Sequence, residues 1–310
     1  MRGGRLVGTV IAIAVAVSSL GLLVGSSPAV AAPIELVERR TAYSKTFQND
    51  DGTETLELSG RPLHYQNDAG HWVDVDVRLE AELGPDYSYS AKKNRPKVWL
   101  PRKASQAARF EVGQHYLRFQ PVGAADADVI RRDETTVAFS GVWQNTDLSY
   151  QVIPEGLKEN IVIQSRPSPT TFPFELDYPG VSPQLESDGS IAFLSAETGE
   201  ELWRFPRPYA VEMHEGASPS YEAVHYQLQQ RGTAATVSLV VDPQWLDNPA
   251  RQFPVLIDPT TVSLGSGSDS RSITTYASQT VTYWWRLEAP ACMGTDRYGK
   301  VKIGTWSGGG

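Results

Sequence analysis

The chain has 310 residues and a single cysteine, Cys292. No intrachain disulfide can form, and a cysteine-based zinc site is excluded. Cationic excess is also missing: 28 Lys+Arg stand against 36 Asp+Glu, a formal net charge of −8. With nothing surplus to neutralise phosphates, the composition argues against a nucleic-acid partner. Long apolar runs are limited to one, near the N-terminus, which argues against a multi-span membrane protein. Amphipathic helical patterns of useful length are lacking after that run. What remains, 40% hydrophobic and 21% charged residues, suits one or two globular domains rather than a disordered chain.

The apolar run extends from Leu6 to Val24, behind Arg2 and Arg5, and leads to Ala29-Val30-Ala31. A positive start, an apolar stretch and an A-x-A site form a secretory signal peptide. Cleavage is expected after Ala31; cleavage after Ala32 would put Pro33 first. The membrane would then be met only through this segment, before cleavage. Losing Arg2 and Arg5 takes the charge from −8 to −10 and leaves 279 of the 310 residues. A secreted chain without disulfides must be held by its core, and this one is long enough to build one.

Period-2 alternation dominates the mature chain. In Trp72-Val73-Asp74-Val75-Asp76-Val77-Arg78-Leu79 the valines and Leu79 share one face, Asp74, Asp76 and Arg78 the other, as in a strand with one wet side. Similar runs recur at His115–Gln120, Leu148–Ile153, Asn160–Gln164, Phe172–Leu176, Ile191–Leu194, Leu202–Phe205, Val224–Leu228, Thr236–Val241 and Val255–Ile257. Gly-containing turn signals separate several of them, among them Glu155-Gly156, Asp188-Gly189 and Arg231-Gly232. The pattern predicts an all-β fold, a β-sandwich-like domain of many short antiparallel strands. Two short helices are expected: one over Lys103–Ala108, and one capped turn at Asp242-Pro243-Gln244-Trp245-Leu246, with Asp242 as N-cap.

The domain plan is a signal peptide over 1–31, a β-rich domain over 32–262, a small polar linker over 263–272 and a partial β domain over 273–310. The last piece is too short to close a core, so the chain is expected to be a fragment.

Residues able to carry chemistry are sparse. There is no G-x-S-x-G, and His214-Glu215 is followed by Gly216-Ala217-Ser218, not by the spacing of a zinc protease. His64 and His71 flank a turn and could approach as a two-histidine site; one His on each arm of a hairpin is the simpler reading. Asp74 and Asp76 could offer oxygen to Ca²⁺, without a loop motif to support it. Lys158-Glu159-Asn160 reads as a hairpin turn, and Cys292 has no His near it in sequence. Catalytic residues, metal ligands and cofactors are therefore all expected to be none. Trp72, Trp99, Trp143, Trp203 and Trp245 sit in apolar patterns and are expected in the core. Trp284, Trp285 and Trp306 are the candidate platforms for stacking sugar rings; the adjacent pair would point to opposite faces of a strand.

Several strings together resemble a known region. They are Pro62-Leu63-His64-Tyr65, Gly70-His71-Trp72-Val73-Asp74, Asp147-Leu148-Ser149-Tyr150, Pro154-Glu155-Gly156-Leu157-Lys158-Glu159-Asn160, Val241-Asp242-Pro243-Gln244-Trp245-Leu246 and Phe253-Pro254-Val255-Leu256-Ile257-Asp258-Pro259-Thr260. In this order, over roughly Glu35 to Thr260, they resemble the N-terminal β-rich region of secreted bacterial proteins with DNRLRE domains and RHS (YD) repeats, the wall-associated toxins among them. The tail, with Thr275-Tyr276 and Val301-Lys302-Ile303-Gly304-Thr305-Trp306, resembles the start of a jelly-roll-like DNRLRE domain. The resemblance implies a secreted surface or wall-associated module without catalysis, which presents or anchors downstream domains and could bind envelope glycans. Its partners would be those glycans or its own downstream domains, with no nucleic acid. The rival reading is a secreted glycan-degrading hydrolase using two of Asp74, Asp76, Glu159 and Glu175, which would have to lie about 5–10 Å apart.

Overall fold

The structure, a computed structural model, describes residues 32–264 apart from Gly60, Lys92 and Thr233, with Pro259 to Leu264 as backbone only. Alternating sequences become strands here because one face of each finds an apolar partner. Thr146–Ile153 shows the rule: Leu148, Tyr150 and Val152 are buried, while Asp147, Ser149 and Gln151 are not. Short turns return the chain so that neighbours in sequence pair in space. Trp143 faces Thr146 and Ile153 faces Gly156 across two-residue loops.

Two large antiparallel sheets result. The first runs, in spatial order, Val224–Arg231, Ala234–Val241, Thr171–Asp177, His115–Pro121, Ala108–Val112, Lys97–Pro101, Tyr87–Ala91 and Glu80–Ala81. The second runs Ile130–Arg131, Thr136–Trp143, Thr146–Ile153, Gly156–Ile163, Val255–Leu264, Glu201–Phe205, Ile191–Ser195 and Val181–Leu185, with Tyr209–Glu212 also pairing with Val255–Leu264. A three-stranded sheet of Ile34–Glu35, Ser44–Gln48 and Glu54–Leu58 and the hairpin His64–Gln66 with Trp72–Asp74 precede them.

The large sheets close on each other over one continuous core. Aromatic rings bridge the gap: Phe110 of the first sheet meets Trp203 of the second edge-on at 5.7 Å, and Phe119 meets Tyr150 at 5.7 Å. Phe193 stacks on the fully buried Trp203 at 5.7 Å. Each such ring removed from water contributes about 1.5–3 kcal/mol. This is the all-β, sandwich-like fold that the alternation predicts, with no barrel closure.

Three local expectations are corrected. Lys103 to Ala107 forms turns, not a helix, and Ala108 already begins a strand. Gln106 donates its backbone N–H to the Lys103 carbonyl and accepts one from the Lys103 backbone through its side chain, which closes the turn. The run Trp72 to Leu79 is a strand only to Asp74, because Arg78 folds back onto Asp76. Of the five tryptophans expected in the core, Trp203 is fully buried and Trp143 and Trp245 pack against the core in part, but Trp72 is half-buried in the small hairpin outside it and Trp99 lies on the wet face under the Arg109 guanidinium. The helix Pro243–Leu246 forms as read, with Asp242 accepting from the Gln244 backbone N–H at 2.8 Å. Strand Val255–Leu264 ends two residues past 262, the expected end of the β-rich domain.

Candidate functional site

The wet face of the first large sheet carries a row of paired positions that crosses all its central strands. Trp99 faces Arg109, Arg109 faces Arg118, Arg118 faces Asp177, Asp177 faces Ala234 and Ala234 faces Arg231. A second row lies beside it: Gln120, Glu175, Thr236 and Gln229. The residues reach this face because Leu117, Phe119, Phe174, Leu176, Val237 and Leu239, one position away along the same strands, are taken by the core.

A concavity of about 360 Å³ opens where the rows meet, lined by Arg118, Gln120, Glu175, Asp177, Arg231 and Thr236 over Ala107, Ala234 and Ala235. The small Ala234 lies between Asp177 and Arg231 in the row and leaves this space open. Arg109 at the end of the row is engaged, 2.9 Å from Glu111 and stacked 4.4 Å over the Tyr116 ring. Arg118, Arg231, Glu175 and Asp177 are not: among the described residues none of them makes an ion pair or a side-chain hydrogen bond.

The four acids weighed for hydrolysis are not brought together. Asp74 is an exposed carboxylate among Lys45 at 3.4 Å, His64 at 3.5 Å and Arg40 at 3.7 Å. Asp76 is held down to a pKa of about 2 by its hydrogen bonds from Arg78, the larger of which come from the side chain. Glu159 is buried between the sheets, beside Phe119, Phe174 and Phe205. Glu175 alone lies in the concavity, and its neighbour there is Asp177, which the strand pattern could have indicated at i+2.

Lys158 and Glu159 point to opposite sides of their strand. Lys158 forms a buried ion pair with Asp258, which also accepts from the Tyr209 hydroxyl. A register shift between Glu159 and Ile161 accommodates this cluster. Burial raises the Tyr226 hydroxyl well above the ordinary tyrosine value, and the Glu159 and Asp258 charges add to that. This cluster is enclosed and holds two strands together.

The two histidines do not meet, since His64 faces Asp74 across the hairpin and Gln66 faces Trp72. His64 instead bonds the Thr41 carbonyl at 2.7 Å through Nδ1. Among the described residues no group of three or more His, Cys, Asp or Glu is placed to hold a metal ion, and no helix is long and apolar enough to cross a membrane. Ala32 is exposed at the start of the described residues; Ala31, Trp284, Trp285, Trp306 and Cys292 lie outside them.

Comparison with known proteins places the chain beside wall-associated proteins. It is 25% identical over 259 residues to the tRNA(Glu)-specific nuclease WapA of Bacillus subtilis subsp. natto (strain BEST195), covering 78% of this chain and 11% of that protein. The same figures hold for the tRNA nuclease WapA of Bacillus subtilis (strain 168). A protein named wall-associated protein from Geobacillus stearothermophilus is 21% identical over 194 residues, 58% of this chain and 75% of that protein. No family model and no solved structure matches. The chain thus spans about a tenth of the length of its WapA relatives. These relatives support a cell-wall-associated role.

Two expectations are overturned by the same finding. The composition and the resemblance argue for a non-enzyme without a nucleic-acid partner, yet three relatives are named tRNA nucleases. Net charge, summed over this chain, does not weigh against those names, which belong to proteins of which the chain spans about a tenth.

Proposed function

We propose that this chain is the β-sandwich segment of a longer, exported, wall-associated protein that acts on tRNA. In this reading the signal peptide directs export with cleavage after Ala31, and the sandwich anchors and presents the DNRLRE- and RHS-type parts that follow. Envelope glycan is the ligand that would hold it in place. The observation that carries the reading is the alignment with the Geobacillus wall-associated protein, of which 75% is spanned by this chain. The WapA names supply the substrate class, since the aligned stretch is part of proteins named for cleaving tRNA.

A deletion of residues 32–264 from the natural locus tests this division of labour. Cell fractionation and tRNA cleavage are followed together. The expected result is loss of the protein from the wall fraction, with cleavage retained once the remaining protein is isolated. Unchanged wall retention would remove the anchoring role. Sequencing across codon 310 checks the rest, because the reading requires the frame to continue into DNRLRE-type sequence.

A further inference from the structure

The concavity on the wet face of the first sheet has unspent bonding capacity. Arg118 and Asp177 sit directly opposite each other on neighbouring strands, where an ion pair would be easy to make, yet neither has a partner among the described residues. Arg231 and Glu175 are in the same state on either side. Gln120 is partly committed, to the Ser105 carbonyl at 2.8 Å. The guanidiniums and carboxylates are planar and offer two donors or two acceptors side by side, and the Gln120 amide offers one of each.

From this we infer that the concavity between Arg118, Asp177, Glu175 and Arg231 is a binding site for an uncharged, hydroxyl-rich glycan strand of the cell wall. The inference rests on the proposed placement of the protein in the wall.

Three features select that ligand. Two guanidiniums and two carboxylates cancel, so a polyanion gains no net attraction on this face. Vicinal hydroxyls and acetamido groups match side-by-side donors and acceptors, and each ligand bond replaces a bond to water. An extended peptide would need a free sheet edge for strand addition. The site lies mainly across the inner strands Ala234–Val241, Thr171–Asp177 and His115–Pro121, whose backbones are paired on both sides, and only Arg231 comes from the edge strand Val224–Arg231. The apolar lining is limited to Ala107, Leu176, Ala234 and Ala235, with no aromatic side chain of the kind that buries a lipid or a drug-sized ligand. From Arg118 to Arg231 the row covers three strand spacings, roughly 14 Å, so it grips a strand of sugars rather than one ring.

Purified Gram-positive sacculi stripped of teichoic acid are the probe, sedimented with the whole chain. The expected result is binding by the wild type and a loss of roughly tenfold or more in affinity for the Arg118→Ala, Arg231→Ala double variant, with unchanged thermal melting. Ala234→Tyr, which fills the concavity without changing charge, should show the same loss, and it decides the matter if the double variant fails to fold. Wild-type binding that both variants retain overturns the site while leaving the wall-binding reading in place. Absence of wild-type binding overturns both. Binding only to sacculi that still carry teichoic acid, lost in high salt, overturns the uncharged glycan in favour of a polyanion.

Discussion

Lys158 and Asp258 form an ion pair almost wholly removed from water, with side chains 11% and 5% exposed. They belong to adjacent strands of the second sheet, about a hundred residues apart in the chain. The pair joins the middle of the sandwich to its last described strand, and Tyr209 bonds the same carboxylate from the strand beyond.

Removing one partner leaves a buried charge uncompensated. Lys158→Met should lower unfolding stability by about 3 kcal/mol or more in urea titration. Adding Asp258→Leu should recover a substantial part of that loss, because no stranded carboxylate remains. If the double variant is as unstable as the sum of the singles, the pair is not coupled as the geometry states.

The aromatic core should be equally sensitive at Phe193. Its ring stacks on Trp203, meets Tyr178 edge-on and lies 4.6 Å from Phe205. Phe193→Ala should cost about 3–5 kcal/mol, read as a lower urea midpoint with an unchanged slope. A smaller shift than 1 kcal/mol, roughly, would show that the site collapses around the cavity.

Stability should depend on acid through Asp76. Its folded pKa of about 2 lies below the ordinary 3.8, chiefly because the Arg78 side chain bonds the ionised form. The contribution is therefore complete above the unfolded value and is lost as pH falls through 3.8 towards 2. Asp76→Asn should flatten this part of the pH–stability curve, and an unaltered curve would contradict it.

His214 should act in the opposite direction. Its pKa is raised by the bond to the Glu215 carbonyl and then by that to the Glu212 carboxylate, 2.9 Å away on each ring nitrogen. Its contribution is full below the ordinary value of 6.5 and fades as pH rises through the folded value. NMR titration of the imidazole protons measures this directly, and Glu212→Gln should move the midpoint down.

The N-cap gives a local check on helix Pro243–Leu246. Asp242→Ala removes the acceptor for the Gln244 N–H and should cost about 1 kcal/mol in unfolding stability. Asp242→Asn should restore most of it.

Strand positions were legible because alternation has a local cause. Thr236–Val241 and Leu148–Ile153 lie within the strands Ala234–Val241 and Thr146–Ile153, since each apolar face had to be buried somewhere. The short run Lys103–Ala108 misread as helix for the same reason: its alanines carry helix propensity, but the Lys103–Gln106 turn and the start of strand Ala108–Val112 outweigh it. The candidate site was legible only in part. Glu175 was singled out as an acid, but nothing near it in sequence announces Arg118 or Arg231, which arrive from strands some sixty residues away on either side.

By itself the sequence determined the all-β class, the wet and dry faces of most strands and the capped turn at Asp242. Each depends on residues within a few positions of one another. Tertiary structure alone decided that Glu159 lies inside the sandwich while Lys158 turns to Asp258, and that Arg118, Asp177, Ala234 and Arg231 share one row. Those relations are set by strand order and register, and register is chosen by the packing of two whole sheets rather than by any one strand.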